Sequence, residues 1–194
     1  SVSDELLFSD NYSYLSGNSR EKIYNFESIL AEIKKLSKKR NPRILDVGSN
    51  DGSFLEIVKK EYPKVLGVEP TNTAVISINK DIDTIKKPLN LKLAKQIVRK
   101  YSKFDFIVAT NLFAQSNNLN EILKSVKLIL NKKGLLIVEV QYLYDLLFQK
   151  GFDSFHHEHI AYYTASSIMK VLKKYKLHVF DAEKLKVHGG MLRV

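Results

Sequence analysis

Arg43-Ile44-Leu45-Asp46-Val47-Gly48-Ser49-Asn50-Asp51-Gly52-Ser53-Phe54-Leu55 decides the fold. Its opening residues form a short apolar run bounded by Pro42 and Gly48, which reads as a buried strand. Gly48 to Gly52 reads as a tight loop, and Ser53 to Glu61 as a helix by its Phe54, Leu55 and Val58 face. Upstream, Ile23, Phe26, Ile29, Leu30, Ile33 and Leu36 recur at helical spacing, predicting a helix from Ser19 to about Ser37 that Asn41-Pro42 ends. Downstream, strand patterns at Val65–Glu69, Thr84–Lys86, Phe104–Thr110 and Gly134–Val140 alternate with helical ones at Thr73–Asn79, Leu91–Tyr101 and Leu119–Leu130. Five strands separated by helices predict an α/β domain with a mostly parallel sheet covered on both faces. A helix over Ala165–Tyr175 follows. Then Leu177–Lys186 and Met191–Val194 flank His188-Gly189-Gly190, which predicts a closing antiparallel hairpin. The division expected is an arm and helix over 1–40 and the main domain over 41–194.

The 194 residues suffice for one compact domain, and a hydrophobic content of 44% excludes a disordered tail. With no cysteine, disulfides, thiolate metal sites and a cysteine nucleophile are excluded within these residues. The net charge of +10 raises anionic partners. Of 31 basic residues, however, 26 are Lys and only 5 Arg, and they are spread along the chain. Even the acid-free run Lys86–Lys103 carries a helical apolar face, so no nucleic-acid partner is expected. No stretch reaches the roughly 18–20 apolar residues of a membrane span, and residues 1–5 lack the character of a signal peptide. A cytoplasmic location is the expectation.

Glycines directly after a first strand let the backbone approach a ligand at the switch point of an open sheet. Glu69, 17 residues past Gly52, ends the second strand, where a carboxylate can accept both hydroxyls of a ribose. Neither Gly-x-Gly-x-x-Gly nor a Gly-Lys-Ser/Thr phosphate loop is present. An acid on the first strand, Asp46, repels pyrophosphate but suits a cationic ligand end. S-adenosyl-L-methionine (SAM) meets both demands, with its α-amino group near Asp46 and its ribose near Glu69. The candidate cofactor residues are Asp46, Gly48, Asn50, Gly52, Glu69, Pro70, Thr110 and Asn111. The plainer alternative is a structural turn with Asp46 capping the next helix.

Phe152-Asp-Ser-Phe-His156-His157-Glu158-His159 places three of five histidines within four positions, after the fifth strand. Histidine moves protons near pH 7, and a neighbouring Glu can orient it or hold a hydroxyl. A metal on His157 and His159 would need further ligands at suitable spacing, which the sequence lacks. Asn111 and Gln115 share one side if their turn is helical; alternatively Asn111 caps that helix.

These segments together resemble the SAM-dependent sugar C-methyltransferases that act on nucleotide-linked 4-keto-deoxysugars. The matching pieces are Ser9-Asp-Asn-Tyr12-Ser-Tyr14, Ile44 to Leu55, Gly67-Val-Glu69-Pro70, Phe104-Asp105 with Asn111, Phe152 to His159, and His188 to Val194. The resemblance implies a Rossmann-like class I methyltransferase fold, SAM as cofactor and a nucleotide-linked sugar as substrate. It implies His159 as general base, Glu158 as its substrate-binding or proton-handling partner, and a site role for His156, where the family commonly has Tyr. The family's histidine four residues past the Asn is here Gln115, which cannot carry a proton at neutral pH. His157, Asn111 and Gln115 are candidate donors to an enolate oxygen, and Tyr12 and Tyr14 candidate walls of the sugar pocket. The family's cysteine-rich zinc domain and its further C-terminal domain have no counterpart in these residues. The expectation is the catalytic middle of a longer enzyme, or a shortened one. An O-methyltransferase using the same base is the nearest alternative; an RNA methyltransferase and a non-catalytic SAM-binding domain rank below it.

Overall fold

The structure, a computed structural model, describes residues 14–148, 159–187 and 189–194. A single 3-10 turn at Ser16–Asn18 leads into α1 (Arg20–Leu36), whose N-cap Ser19 accepts from the Lys22 amide. Then come β1 (Ile44–Val47), α2 (Ser53–Lys59), β2 (Val65–Val68), α3 (Thr73–Asn79), β3 (Thr84–Ile85), α4 (Leu91–Tyr101) and β4 (Phe104–Thr110). The chain continues through α5 (Leu112–Gln115), α6 (Leu119–Ile129), β5 (Leu130–Gln141), α7 (Leu143–Phe148), α8 (Ala165–Lys174), β6 (Glu183–Leu185) and β7 (Met191–Arg193).

One sheet runs β3-β2-β1-β4-β5-β7-β6. Its first five strands are parallel, with Asp46 opposite Gly67 on one side and Val108 on the other. β7 is antiparallel to both β5 and β6. Both faces are covered, so the central strands are mostly apolar, with Asp46 on β1 and Glu139 on β5 as buried exceptions. On one face Leu45, Val47, Leu66 and Ile107 pack against α4, α6 and α8 through Leu93, Ile97, Leu123, Val126, Ile168 and Leu172. On the other, Ile44, Val65, Phe106 and Val108 meet Phe26, Ile29 and Ile33 of α1 and Phe54, Leu55 and Val58 of α2. The i, i+3, i+7 stripe of α1 is what seats it there. No helix among the described residues is long and apolar enough to cross a membrane.

Two expectations need correction, and one element is additional. Of the strand read over Leu177–Lys186, only Glu183–Leu185 pairs, because the register Glu183↔Arg193 to Leu185↔Met191 leaves 177–182 beyond the paired part of β7. There Leu177 and Val179 pack on the core as irregular chain instead. β5 starts at Leu130, not Gly134, since Leu130 already pairs with Phe104 across a register shift. The helix α7 was not anticipated at all.

Candidate active site

β1 lies between β2 and β4, so the chain's direction of travel across the sheet reverses there. The crevice beyond the C-terminal ends of β1 and β4 is where such sheets bind ligands. A cleft of about 110 Å³ occupies it, lined by Tyr14, Ser16, Lys22, Gly48, Asn50, Glu69, Pro70, Thr110, Asn111, Leu112 and Gln115. Eight of these are candidates from the sequence; Ser16, Lys22 and Leu112 are not. Larger grooves, of about 610 and 590 Å³, lie elsewhere. The first sits at the opposite ends of the strands, around Arg43, Lys64 and Val65, away from the glycine loop.

The loop after β1 holds three consecutive even positions in left-handed backbone: Gly48 (φ 78°), Asn50 (φ 50°) and Gly52 (φ 75°). That turn tucks Asn50 and Asp51 inward, and both are buried. A Cβ at Gly52 would stand 2.3 Å from Ser77 Oγ and 3.2 Å from the Ser77 backbone. Gly52→Ala is therefore expected to cost about 1–3 kcal/mol, read as a lowered thermal midpoint together with weakened cofactor binding. A midpoint unchanged by the substitution would contradict this packing.

Glu69 is buried at the end of β2. Its Oε2 accepts the Asn50 amide at 2.9 Å and its Oε1 the Thr71 amide at 2.9 Å. Each oxygen keeps a second lone pair, enough to receive two ribose hydroxyls. Asp46 does not cap a helix. It is 4% exposed on β1, and its Oδ1 has no hydrogen-bond partner. Burial, with Glu69 and Glu139 nearby, pushes its carboxyl up to about 8 despite the opposing charge of Lys22. A buried carboxyl oxygen without a hydrogen bond has the chemistry to receive a cationic group.

The chain preceding α1 closes over the loop. Asn50 Nδ2 donates to the Tyr14 carbonyl at 2.9 Å, the Ser16 amide donates to Asn50 Oδ1 at 3.0 Å, and the Gly17 amide donates to Asp51 Oδ2 at 3.1 Å. Burial, and the charges of Asp51 and Glu21, push the Tyr14 phenol up, so it stays a donor at neutral pH.

Asn111, the residue before α5, has φ 59° and makes no side-chain cap bond. The capping alternative is thus set aside, and Asn111 and Gln115 both line the cleft. His159 is half-buried, edge-on to Tyr162 with ring centroids 5.8 Å apart. The amides of Ile160 and Ala161, which follow it, both donate to the Ala114 carbonyl, at 2.8 and 3.2 Å. The Tyr163 hydroxyl donates to the Phe113 carbonyl at 3.0 Å. The backbone beside His159 is thereby fastened to α5, the helix that carries Gln115. Tyr12, His156, His157, Glu158 and His188 lie outside the described residues.

This sheet order, with β7 antiparallel between β5 and the edge strand β6 and a glycine loop and acid at the switch point, defines a class I, Rossmann-like methyltransferase fold. Residues 21–181 match the family described as Methyltransferase domain, and the chain belongs to that family. It is a methyltransferase domain of the SAM-dependent class. Among curated proteins, the C-methyltransferase NovU of Streptomyces niveus is 26% identical over 195 residues, covering 100% of this chain and 46% of its own length. The chain thus spans about half of that relative. Among solved structures, the magnesium protoporphyrin IX methyltransferase of Synechocystis PCC 6803 with bound SAH superposes with a TM-score of 0.66 at 11% identity, over 97% of this chain and 90% of that one. A SAM-dependent methyltransferase from Archaeoglobus fulgidus superposes at 0.63 with 17% identity, over 83% and 73%. At such identities these two are likenesses of fold.

Proposed function

We propose that the chain methylates carbon next to the ketone of a nucleotide-linked 4-keto-deoxysugar, with His159 as general base. What carries this reading is the fastening of the His159 segment onto α5 beside a cleft whose polar groups suit SAM. The identity to a C-methyltransferase along the whole chain supports it, as does the resemblance of the motifs to sugar C-methyltransferases.

The residues present fit the cofactor in chemistry. Glu69 has lone pairs for a ribose, the buried Asp46 Oδ1 without a hydrogen bond suits a cation, and the glycine loop leaves room for close approach. About 110 Å³ is less than the roughly 300–1,000 Å³ of small-molecule sites. Binding of SAM therefore calls for a wider cleft than this one, whose wall includes Tyr14 and Ser16. SAM, when bound, supplies an electrophilic methyl group on a positively charged sulfur.

The remaining work falls to the chain. A ketone acidifies the neighbouring C–H, and the His159 imidazole takes that proton. The charge left behind spreads onto the ketone oxygen, which side-chain amides of Asn111 and Gln115 can stabilise by donation. Gln115 cannot exchange protons, so proton transfer rests on the His-Glu-His segment. Holding the acceptor carbon at near-attack distance is the largest remaining demand.

The test uses labelled SAM with a nucleotide 4-keto-6-deoxysugar in deuterated water. The expected product carries the methyl on carbon, and His159→Ala lowers turnover by about 10²–10⁴-fold. Methyl found on oxygen, or turnover unchanged in His159→Ala, overturns the assignment.

A further inference from the structure

We propose that Lys22, on the first turn of α1, holds the carboxylate of the methionine end of SAM. This rests on SAM use, not on the identity of the methyl acceptor.

Lys22 lines the cleft with Glu69, Thr110 and Asn111, yet is only 3% exposed. Enclosing an ammonium so fully is costly unless a partner meets it. Burial lowers its proton affinity, and Glu139, Glu21 and Asp46 oppose that effect. Glu139 is already compensated. Its Oε1 accepts Arg193 Nε at 2.8 Å, and its Oε2 accepts Asn25 Nδ2 at 2.6 Å. Asp46 is near enough to act on Lys22, but its Oδ1 has no hydrogen-bond partner, so the two have not joined fully.

The wall of the cleft therefore carries a buried base, and Asp46, buried on β1, is near enough to act on it without fully matching it. The methionine end of SAM carries an ammonium and a carboxylate on one carbon. That zwitterion complements Asp46 and Lys22 together, while Glu69 at the other side takes the ribose. Lys22 is supplied by α1, which the sheet holds through Phe26, Ile29 and Ile33, so its reach into the cleft is set by a rigid element.

Calorimetry with three ligands tests this. S-adenosylhomocysteine has both charges, its decarboxylated analogue keeps the ammonium alone, and 5′-methylthioadenosine has neither. Lys22→Met keeps the length of the side chain and removes its charge. The expected result is a loss of about 10- to 150-fold in affinity for S-adenosylhomocysteine, the worth of one charged hydrogen bond. Affinity for 5′-methylthioadenosine, which carries neither charge, stays within about two-fold, and the decarboxylated analogue, whose ammonium meets only the Asp46 side of the coupled pair, does not share the loss. Equal losses for all three would make Lys22 a structural counter-ion and overturn the proposal. An unchanged affinity for S-adenosylhomocysteine in Lys22→Met would do so too. If the unsubstituted chain itself failed to bind S-adenosylhomocysteine, SAM use would fall, and this proposal with it.

Discussion

Arg193→Ala is expected to lower the stability of the domain by about 3–5 kcal/mol, the cost of leaving a buried charge without its partner. Arg193 on β7 stands opposite Glu139 on β5, and the two are 6% and 0% exposed. The guanidinium also donates from Nη2 to Asn25 Oδ1 at 3.0 Å and to Ser28 Oγ at 2.6 Å. Asn25 in turn donates to Glu139 at 2.6 Å. The buried members of this group hold one another by hydrogen bonds, so the loss of one leaves the others short of a partner. Removing the guanidinium strands Glu139, two Asn25 and Ser28 acceptors and a cavity's worth of packing. Domains of this size have about 5–15 kcal/mol in total, so the loss is a large fraction. It corresponds to a thermal midpoint lower by about 6–20 °C. Glu139→Gln combined with Arg193→Met removes both charges together and is expected to recover a good part of the loss. A melt of Arg193→Ala within about 1 kcal/mol of the unsubstituted chain would show that the pair contributes little. The consequence for function is indirect: the network anchors α1, and α1 carries Lys22 into the cleft.

That network also marks the limit of what the sequence disclosed. The parallel sheet was legible because each central strand is an apolar run set between helical periods, and both signals agree. Asp46, Gly48, Asn50, Glu69, Pro70, Thr110, Asn111, Gln115 and Tyr14 were legible because the glycine loop and strand ends fix where the crevice falls. All but Asp46 line the cleft, and of the remaining described candidates Gly52 and His159 do not line it; Asp46 lies buried on β1 and acts on Lys22. Lys22 was missed because a lysine early in a helix reads as a solvated cap residue. Its signal was positional: it stands four residues before Phe26, on the stripe that continues through Ile29 and Ile33, so the period itself points it inward. Asn25 on the same stripe and Glu139 inside the apolar run Leu135–Val140 carried the same kind of signal, a polar residue where the pattern calls for an apolar one. Leu143–Phe148 was missed for the opposite reason, since six residues are too short for a helical period to show. The difference over 177–182 is one of pairing, which no local pattern contains.

Asp46→Asn is expected to stabilise the cofactor-free protein at neutral and alkaline pH while abolishing tight binding of S-adenosylhomocysteine. The groups facing the Asp46 carboxyl are Glu69, Lys22 and Glu139, and burial together with the two acids raises it to about 8. In the unfolded chain it titrates near its ordinary 3.8. Below pH 4 both states hold the proton, and the folded protein suffers no penalty from this group. Between 4 and 8 the unfolded chain has lost the proton and the folded one retains it, so rising pH favours unfolding. The loss is complete once pH passes about 8. An asparagine amide escapes this titration. The advantage of Asp46→Asn is thus near zero at pH 4 and grows to a plateau above pH 8, each kcal/mol raising the midpoint by about 2–4 °C. Binding runs the other way. A ligand ammonium favours the carboxylate, so S-adenosylhomocysteine binding by the unsubstituted chain releases a proton at pH 7 and tightens as pH rises toward 8. Calorimetry in two buffers of different ionisation enthalpy reads that proton directly. A proton release that persists unchanged in Asp46→Asn, or melting curves of the two proteins that run parallel from pH 4 to 9, would place the titration on another group. On the reading proposed above, a buried carboxyl with one oxygen short of a hydrogen bond is stabilised by a ligand cation, and proton release on binding measures that gain.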